Sequence, residues 1–198
     1  MLSNKKAKVE KYFEPLAKFL SKTNPNILTL IGSIPPLLFF VFLINHFYVL
    51  AIIAYFGTII DIVDGMIARK YNKVSSFGGF LDSTIDRIGD FFIITAFAFS
   101  GLVKWEIVAP LLLFSYLTSY TRSRGELASL DREKVKFNIG LIERPERLFL
   151  TLFSLIAYLL LPGINFSGLN ITELVFIMIA VLSLYTVIQR IIYAYKVL

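Results

Sequence analysis

The chain has 198 residues, 57% hydrophobic and 17% charged, with a formal net charge of +6. A soluble domain of this length carries roughly a quarter charged residues, so this composition requires lipid as its solvent and suits a single domain. There is no cysteine and one histidine, His46, which excludes disulfides, zinc–thiolate sites and thiol nucleophiles and makes a Ser/His or His–metal centre improbable.

From the N-terminus, residues 4–20 have the spacing of an amphipathic helix. Val9, Tyr12, Phe13, Leu16, Phe19 and Leu20 form one face and lysines the other, as in a helix lying in the headgroup region. These first residues lack the apolar core and small-residue cleavage site of a signal peptide. Residues 1–24 therefore read as a juxtamembrane segment and 25–198 as the membrane domain. Asn24, Pro25 and Asn26 break the first helix and cap the next. Apolar runs of about 20 residues predict spans near 27–47, 49–69, 78–101, 105–128, 146–162 and 172–195. The fold class is thus all-α, a bundle of six transmembrane helices behind an interfacial helix. Pro35 and Pro36 should kink the first span. Residues 129–144 are polar and charged, with Gly140, and read as a structured loop too long for a tight turn.

Charge placement orients the bundle. Of the 20 Lys and Arg residues, all but Lys104 lie before the first span, between the second and third, just inside the third, between the fourth and fifth, or near the C-terminal end. The opposite loops are short and nearly uncharged. By the positive-inside rule both termini face the cytoplasm, consistent with an even number of spans. The expected location is the cell membrane, multi-pass, and no nucleic-acid partner is expected.

Ionisable groups within apolar helices are costly and are functional candidates by default. Asp61 and Asp64 end the second predicted span, three residues apart on one helix face. Asp82 and Asp86 open the third, four apart on another. The short connection 70–77 makes the two helices neighbours, so four carboxylates converge. Their mutual repulsion calls for a cation. Oxygen donors without cysteine or histidine favour Mg²⁺, Mn²⁺ or Ca²⁺ over zinc, and four carboxylates suit two ions, an arrangement that serves phosphate transfer. Pairing with Arg69 and Arg87 as helix glue is the plainer alternative, but two arginines cannot neutralise four aspartates and Asp90. Gly65, Ala68 and Gly78 are small enough for close helix approach and for phosphate to reach backbone.

A second constellation ends the fourth predicted span and opens the fifth: Arg122, Arg124, Arg144 and Arg147, with Glu126, Glu143 and Glu146 among them as possible pair partners. Arginine reads phosphate bidentately, so several at one depth suggest an anion pocket; snorkelling to lipid phosphates is the plainer alternative. Arg190, in the last span, is placed to complete the pocket.

The string from Asp61 to Asp86 has the form D-x2-D-G-x2-A-R-x8-G-x3-D-x3-D. It resembles the signature of the CDP-alcohol phosphotransferases, with every signature residue in place. The resemblance implies a six-helix membrane fold, a homodimer, and metal binding by Asp61, Asp64, Asp82 and Asp86, with Asp86 also the general base. It implies a site for the CDP moiety at Asp61, Gly65, Ala68, Arg69, Gly78 and Asp82, with Ser75 and Ser76 near its phosphates and Asn26 at the nucleotide. Ser119 to Arg124 and Ile142 to Arg147 are similar to stretches of the phosphatidylinositol-phosphate synthases and their archaetidylinositol-phosphate counterparts. That implies inositol phosphate bound by Arg122, Arg124, Arg144 and Arg190; Arg122 departs from the lysine common in the bacterial enzymes. The expected donor is CDP-diacylglycerol or CDP-archaeol, with two Mg²⁺ ions as cofactors and Mn²⁺ as a substitute. Glycerol phosphate as acceptor, CDP-inositol as donor, or cation transport through the aspartates are the competing expectations.

Overall fold

The computed structural model describes residues 23–58, 75–129, 137 and 139–198. The predicted interfacial helix at 4–20 lies outside them. Among the described residues the chain is helical apart from one short hairpin: α1 Pro25–Gly32, α2 Ile34–Ile44, α3 Tyr48–Gly57, α4 Ser76–Phe99, α5 Trp105–Ala128, α6 Arg144–Leu160, β1 Asn165–Phe166, β2 Leu169–Asn170 and α7 Ile171–Val197. It divides into two compact units, residues 1–96 and 97–198.

In the first unit, α1 and α2 form the interrupted first span. Asn24 caps α1, its side chain accepting from the Asn26 N–H at 3.0 Å. The break falls at Ser33, just ahead of Pro35 and Pro36, because neither proline has an N–H to continue the ladder. Ser33 compensates: its N–H and hydroxyl both donate to the Leu30 carbonyl, the hydroxyl at 2.6 Å. A tight turn with His46 at φ 60° returns the chain into α3. The rings of Phe39 and Tyr55 meet edge to face at 5.2 Å. A Cβ on Gly57 would stand 2.9 Å from the Pro35 Cβ, so the α2–α3 contact depends on glycine there. Phe40 meets Phe92 of α4 at 5.7 Å. Only the first part of the second predicted span, 49–69, is described.

In the second unit, α5 and α7 run side by side in the same direction. The side chain of Asn170 donates to the Leu102 carbonyl at one end, and Arg190 reaches Thr118 at the other. α6 packs on α7 antiparallel to it, with the Thr172 hydroxyl donating to the Ser154 carbonyl. The hairpin before α7 pairs Asn165 with Asn170 and Phe166 with Leu169, and turns through Ser167 and Gly168, both at positive φ. Asn170 and Glu173 then form a reciprocal capping box for α7, and Lys104 pairs with Glu173 at 3.9 Å.

The burial pattern suits a lipid environment. Ser115, Thr118, Thr151, Ser154, Ser183 and Thr186 are buried between helices, whereas Val181, Leu184, Ile188 and Ile191 of α7 are exposed. Small polar residues at helix contacts and large apolar ones outside are the arrangement of helices packed in a bilayer. Among the described residues, Pro25–Ile44 and Ile171–Val197 are long and apolar enough to cross a membrane. α4 and α5, at 24 residues each, are about 36 Å long, sufficient for a hydrocarbon core of about 30 Å.

Candidate active site

α4 carries the described half of the aspartate site. Its first turn is built by Ser75, whose side-chain oxygen accepts the Gly78 N–H at 2.9 Å in the manner of an N-cap. A Cβ on Gly78 would stand 3.0 Å from the Ser75 Oγ and 3.1 Å from the Asn26 Oδ1. Three residues expected at the CDP moiety, Asn26, Ser75 and Gly78, are therefore gathered in space although 49 residues separate the first two. The N-termini of α1 and α4 meet at this point, and each brings the positive end of a helix dipole, a charge suited to phosphate.

One turn further along α4 stands Asp82, and one turn beyond it Asp86, both half-buried; Asp90, the next in the series, is buried. Arg87 lies beside them. Its Nη1 donates to the Ser83 carbonyl at 2.6 Å and lies 3.9 Å from the Asp86 Oδ2, so its short bond goes to backbone and its contact with Asp86 is long. Asp61, Asp64, Gly65, Ala68 and Arg69 lie outside the described residues, and so does the expected convergence of four carboxylates. Among the described residues, no three His, Cys, Asp or Glu side chains gather as a ligand set. The donor chemistry at Asp82 and Asp86 is carboxylate oxygen, which fits a hard divalent cation. His46 is held elsewhere, with its Nδ1 3.1 Å from the Tyr48 hydroxyl.

The second unit holds the arginines. Arg190 is only 3% exposed, and its guanidinium is shared among the carbonyls of Thr118 and Ile139 (the latter at 2.7 Å) and the Glu143 Oε1 at 3.2 Å. Arg122 donates from Nε to the Glu126 Oε1 at 3.2 Å, and its Nη1 lies 3.7 Å from the same Glu143 oxygen. Arg144 opens α6, half-buried. Arg124 is exposed, and at two residues from Arg122 it points about 200° away around the helix. Glu126 and Glu143 are indeed pair partners of the arginines, and Arg190 is tied into the protein's own backbone.

Arg147, which the sequence placed in the arginine cluster, is 4% exposed and donates to the Thr118 hydroxyl at 3.1 Å. Local pattern gave no sign of the residues that position the loop ahead of it. Phe137 and residues 139–143 are docked against α5 and α7. A Cβ on Gly125 would collide with the Phe137 ring, and Phe137 meets Tyr193 at 5.2 Å. Gly140, at φ 147°, leaves no room for a Cβ against the Thr186 methyl, and the Thr186 hydroxyl oxygen accepts the N–H groups of Leu141 and Ile142 at 3.2 Å each. The structured loop expected from composition is thus found in its described part, and it delivers Glu143 and Arg144 to the arginine cluster.

Known proteins share this fold. The family model for CDP-alcohol phosphatidyltransferases matches residues 22–193. An archaetidylinositol phosphate synthase of Pyrococcus horikoshii is 37% identical over 99% of this chain and 97% of that protein. A phosphatidylinositol phosphate synthase of Corynebacterium glutamicum is 30% identical over 92% of this chain and 84% of that one. The crystal structure of the Mycobacterium tuberculosis phosphatidylinositol phosphate synthase with CDP-DAG bound superimposes with a TM-score of 0.75 at 22% identity, covering 91% of this chain and 92% of that chain. The same enzyme with manganese and citrate gives a TM-score of 0.76.

Proposed function

This chain belongs to the CDP-alcohol phosphatidyltransferase family, and on that premise we propose that it is a membrane phospholipid synthase that transfers the phosphatidyl or archaetidyl group of a CDP-linked lipid to inositol phosphate and releases CMP. The observation that carries the acceptor is the pairing of Arg122 and Arg190 with Glu126 and Glu143, with Arg147 beside them on Thr118. That leaves positive charge for a phosphorylated acceptor and nothing comparable for serine or free inositol. The names of the relatives support the same acceptor.

The roles are as follows. The CDP moiety lies at Asn26, Asp61, Gly65, Ala68, Arg69, Ser75, Gly78 and Asp82. The Ser75 oxygen accepts from Gly78, so its O–H is left to donate to a phosphate oxygen. Asp61, Asp64, Asp82 and Asp86 would hold the divalent ions, two Mg²⁺ replaceable by Mn²⁺, which would supply positive charge to offset that of the pyrophosphate and the transferring group. Arg122, Arg144 and Arg190 bind the acceptor's phosphate, with Arg124 the outer member. Asp86 accepts the proton of the attacking hydroxyl. That oxygen bonds to the lipid-side phosphorus while the bond to CMP breaks, its electron pair leaving on the CMP oxygen. The proposal includes six spans, with both termini and the site at the cytoplasmic face, as the placement of Lys and Arg supports. A homodimer is included on the strength of the family resemblance.

The test is CMP release by the purified protein in detergent with Mg²⁺ and either CDP-diacylglycerol or CDP-archaeol. Inositol phosphate, free inositol, glycerol phosphate and serine are compared as acceptors. Release with inositol phosphate alone is expected. Release with glycerol phosphate alone would keep the aspartate site and overturn the acceptor.

A further inference from the structure

Glu143 stands between two arginines that differ sharply in exposure. Arg190 is buried, with 3% of its side chain exposed, whereas the Glu143 side chain is 42% exposed, as is that of Arg122. A single oxygen, Oε1, serves both cations, at 3.2 Å to Arg190 Nη2 and 3.7 Å to Arg122 Nη1. A buried guanidinium cannot follow its counter-charge into water, and leaving it uncompensated is costly. The partly exposed carboxylate can be hydrated where it stands. In such a pair the cation stays fixed and the anion is exchangeable.

The backbone around Glu143 is fixed independently of this pair. Thr186 holds Leu141 and Ile142, Gly140 is packed against Thr186, and the Glu146 carboxylate accepts the Glu143 N–H at 3.1 Å. Exchange of the counter-anion therefore involves the Glu143 side chain without undoing the loop.

We propose that Glu143 sets the affinity of this site, as the resident counter-anion with which an incoming phosphate competes for Arg190 and Arg122. It rests on the proposed reading of this cluster as the phosphate site of the acceptor. An arriving monoanion offers the arginines no more charge than Glu143 already supplies. A phosphate monoester dianion offers twice as much. The consequence suits a site at a membrane surface, where the phosphodiester headgroups of surrounding lipids are monoanions present in great excess. By competing with both, Glu143 keeps the weaker-binding monoanions off and still admits the dianion. Glu126, paired with Arg122, acts in the same direction on that residue.

The probes are inorganic phosphate, a dianion above neutral pH, and dimethyl phosphate, a monoanionic diester. Dissociation constants are read at pH 8 from ligand-dependent thermal stabilisation of the full chain in detergent, for the wild type, Glu143→Gln and Glu126→Gln. The glutamine at 143 keeps the backbone N–H that donates to Glu146. Wild type is expected to bind phosphate at least about tenfold more tightly than the diester. Glu143→Gln is expected to bind phosphate about fivefold more tightly than wild type, the scale of one partly exposed ion pair. It should gain by a similar factor for the diester, because one resident carboxylate competes with both anions. Glu126→Gln should shift the same way by a smaller factor, and it carries the test if Glu143→Gln does not fold. Binding of both anions that is unchanged or weaker in the variants would overturn the proposal. The measurement needs no turnover. Tighter binding in Glu143→Gln with no CMP released by the wild type would remove the proposed reaction and leave this inference standing. Normal turnover without tighter binding would remove this inference alone.

Discussion

Replacing Gly78 by alanine separates the fold from the site at the point where α1 meets α4. The new Cβ would lie 3.0 Å from the Ser75 Oγ and 3.1 Å from the Asn26 Oδ1. Both neighbours are ends of side chains and can yield by a few tenths of an ångström. Alanine within a helix is favoured over glycine by about 0.5–1 kcal/mol, which offsets most of the crowding. Net stability should stay within about 1 kcal/mol, or roughly 4 °C in Tm for a chain of this size. Catalytic placement is less forgiving, since a misplacement of about 1 Å costs roughly a hundredfold. Shifts of a few tenths in Asn26 and Ser75 should lower kcat/KM for the CDP-lipid about tenfold and leave the requirement for inositol phosphate unchanged. Thermal unfolding and CMP release at varied CDP-lipid are measured on the same preparation. Full activity at unchanged Tm would refute the placement of the CDP moiety at Gly78. A loss of more than roughly 10 °C would show that the glycine serves folding alone.

Asp86→Asn removes the proposed base and should reduce turnover by about 10²–10⁴ while CDP-lipid still binds, checked by CMP release and equilibrium binding; normal turnover would displace Asp86 from that role. Chelation by EDTA should abolish CMP release, and Mg²⁺ or Mn²⁺ but not Zn²⁺ should restore it, as carboxylate donors require. Gly125→Ala drives a Cβ into the Phe137 ring, so Phe137 should lift from α5 at a cost of about 1–3 kcal/mol, seen as a lower Tm and faster proteolytic cleavage near Phe137. Arg122→Ala should raise KM for inositol phosphate more than Arg124→Ala does, because Arg122 is held by Glu126 and Glu143 whereas Arg124 is exposed.

Features written in local pattern were legible in the sequence. The starts of α4 to α7 fall within a few residues of the predicted spans because capping signals and apolar runs are local. The Pro35–Pro36 pair foretold the break at Ser33, since a missing N–H acts on its own helix. Asp82 and Asp86 were legible as one face because four residues make about one turn. The hairpin at 165–170 was not, because its turn rests on Ser167 at positive φ beside Gly168, a weak signal in a nine-residue uncharged loop. The engagement of Arg190 was also hidden. Its partners Thr118, Ile139 and Glu143 lie 47 to 72 residues away, and two of the three are backbone carbonyls, which leave no trace in residue identity. Sequence supplied a charge in the last helix; packing decided that the charge is buried and tied to a loop.

The central claim is that a phosphorylated acceptor receives the lipid-side phosphoryl group, and the lipid product tests it most directly. After incubation of the purified protein with CDP-lipid, Mg²⁺ and inositol phosphate, the lipid fraction is analysed by mass spectrometry. A lipid bearing inositol and two phosphorus atoms, one from each substrate, formed in equal amount to CMP, is the predicted result. A lipid with a single phosphorus, or CMP accompanied only by the phosphatidic or archaetidic acid of hydrolysis, would contradict the account.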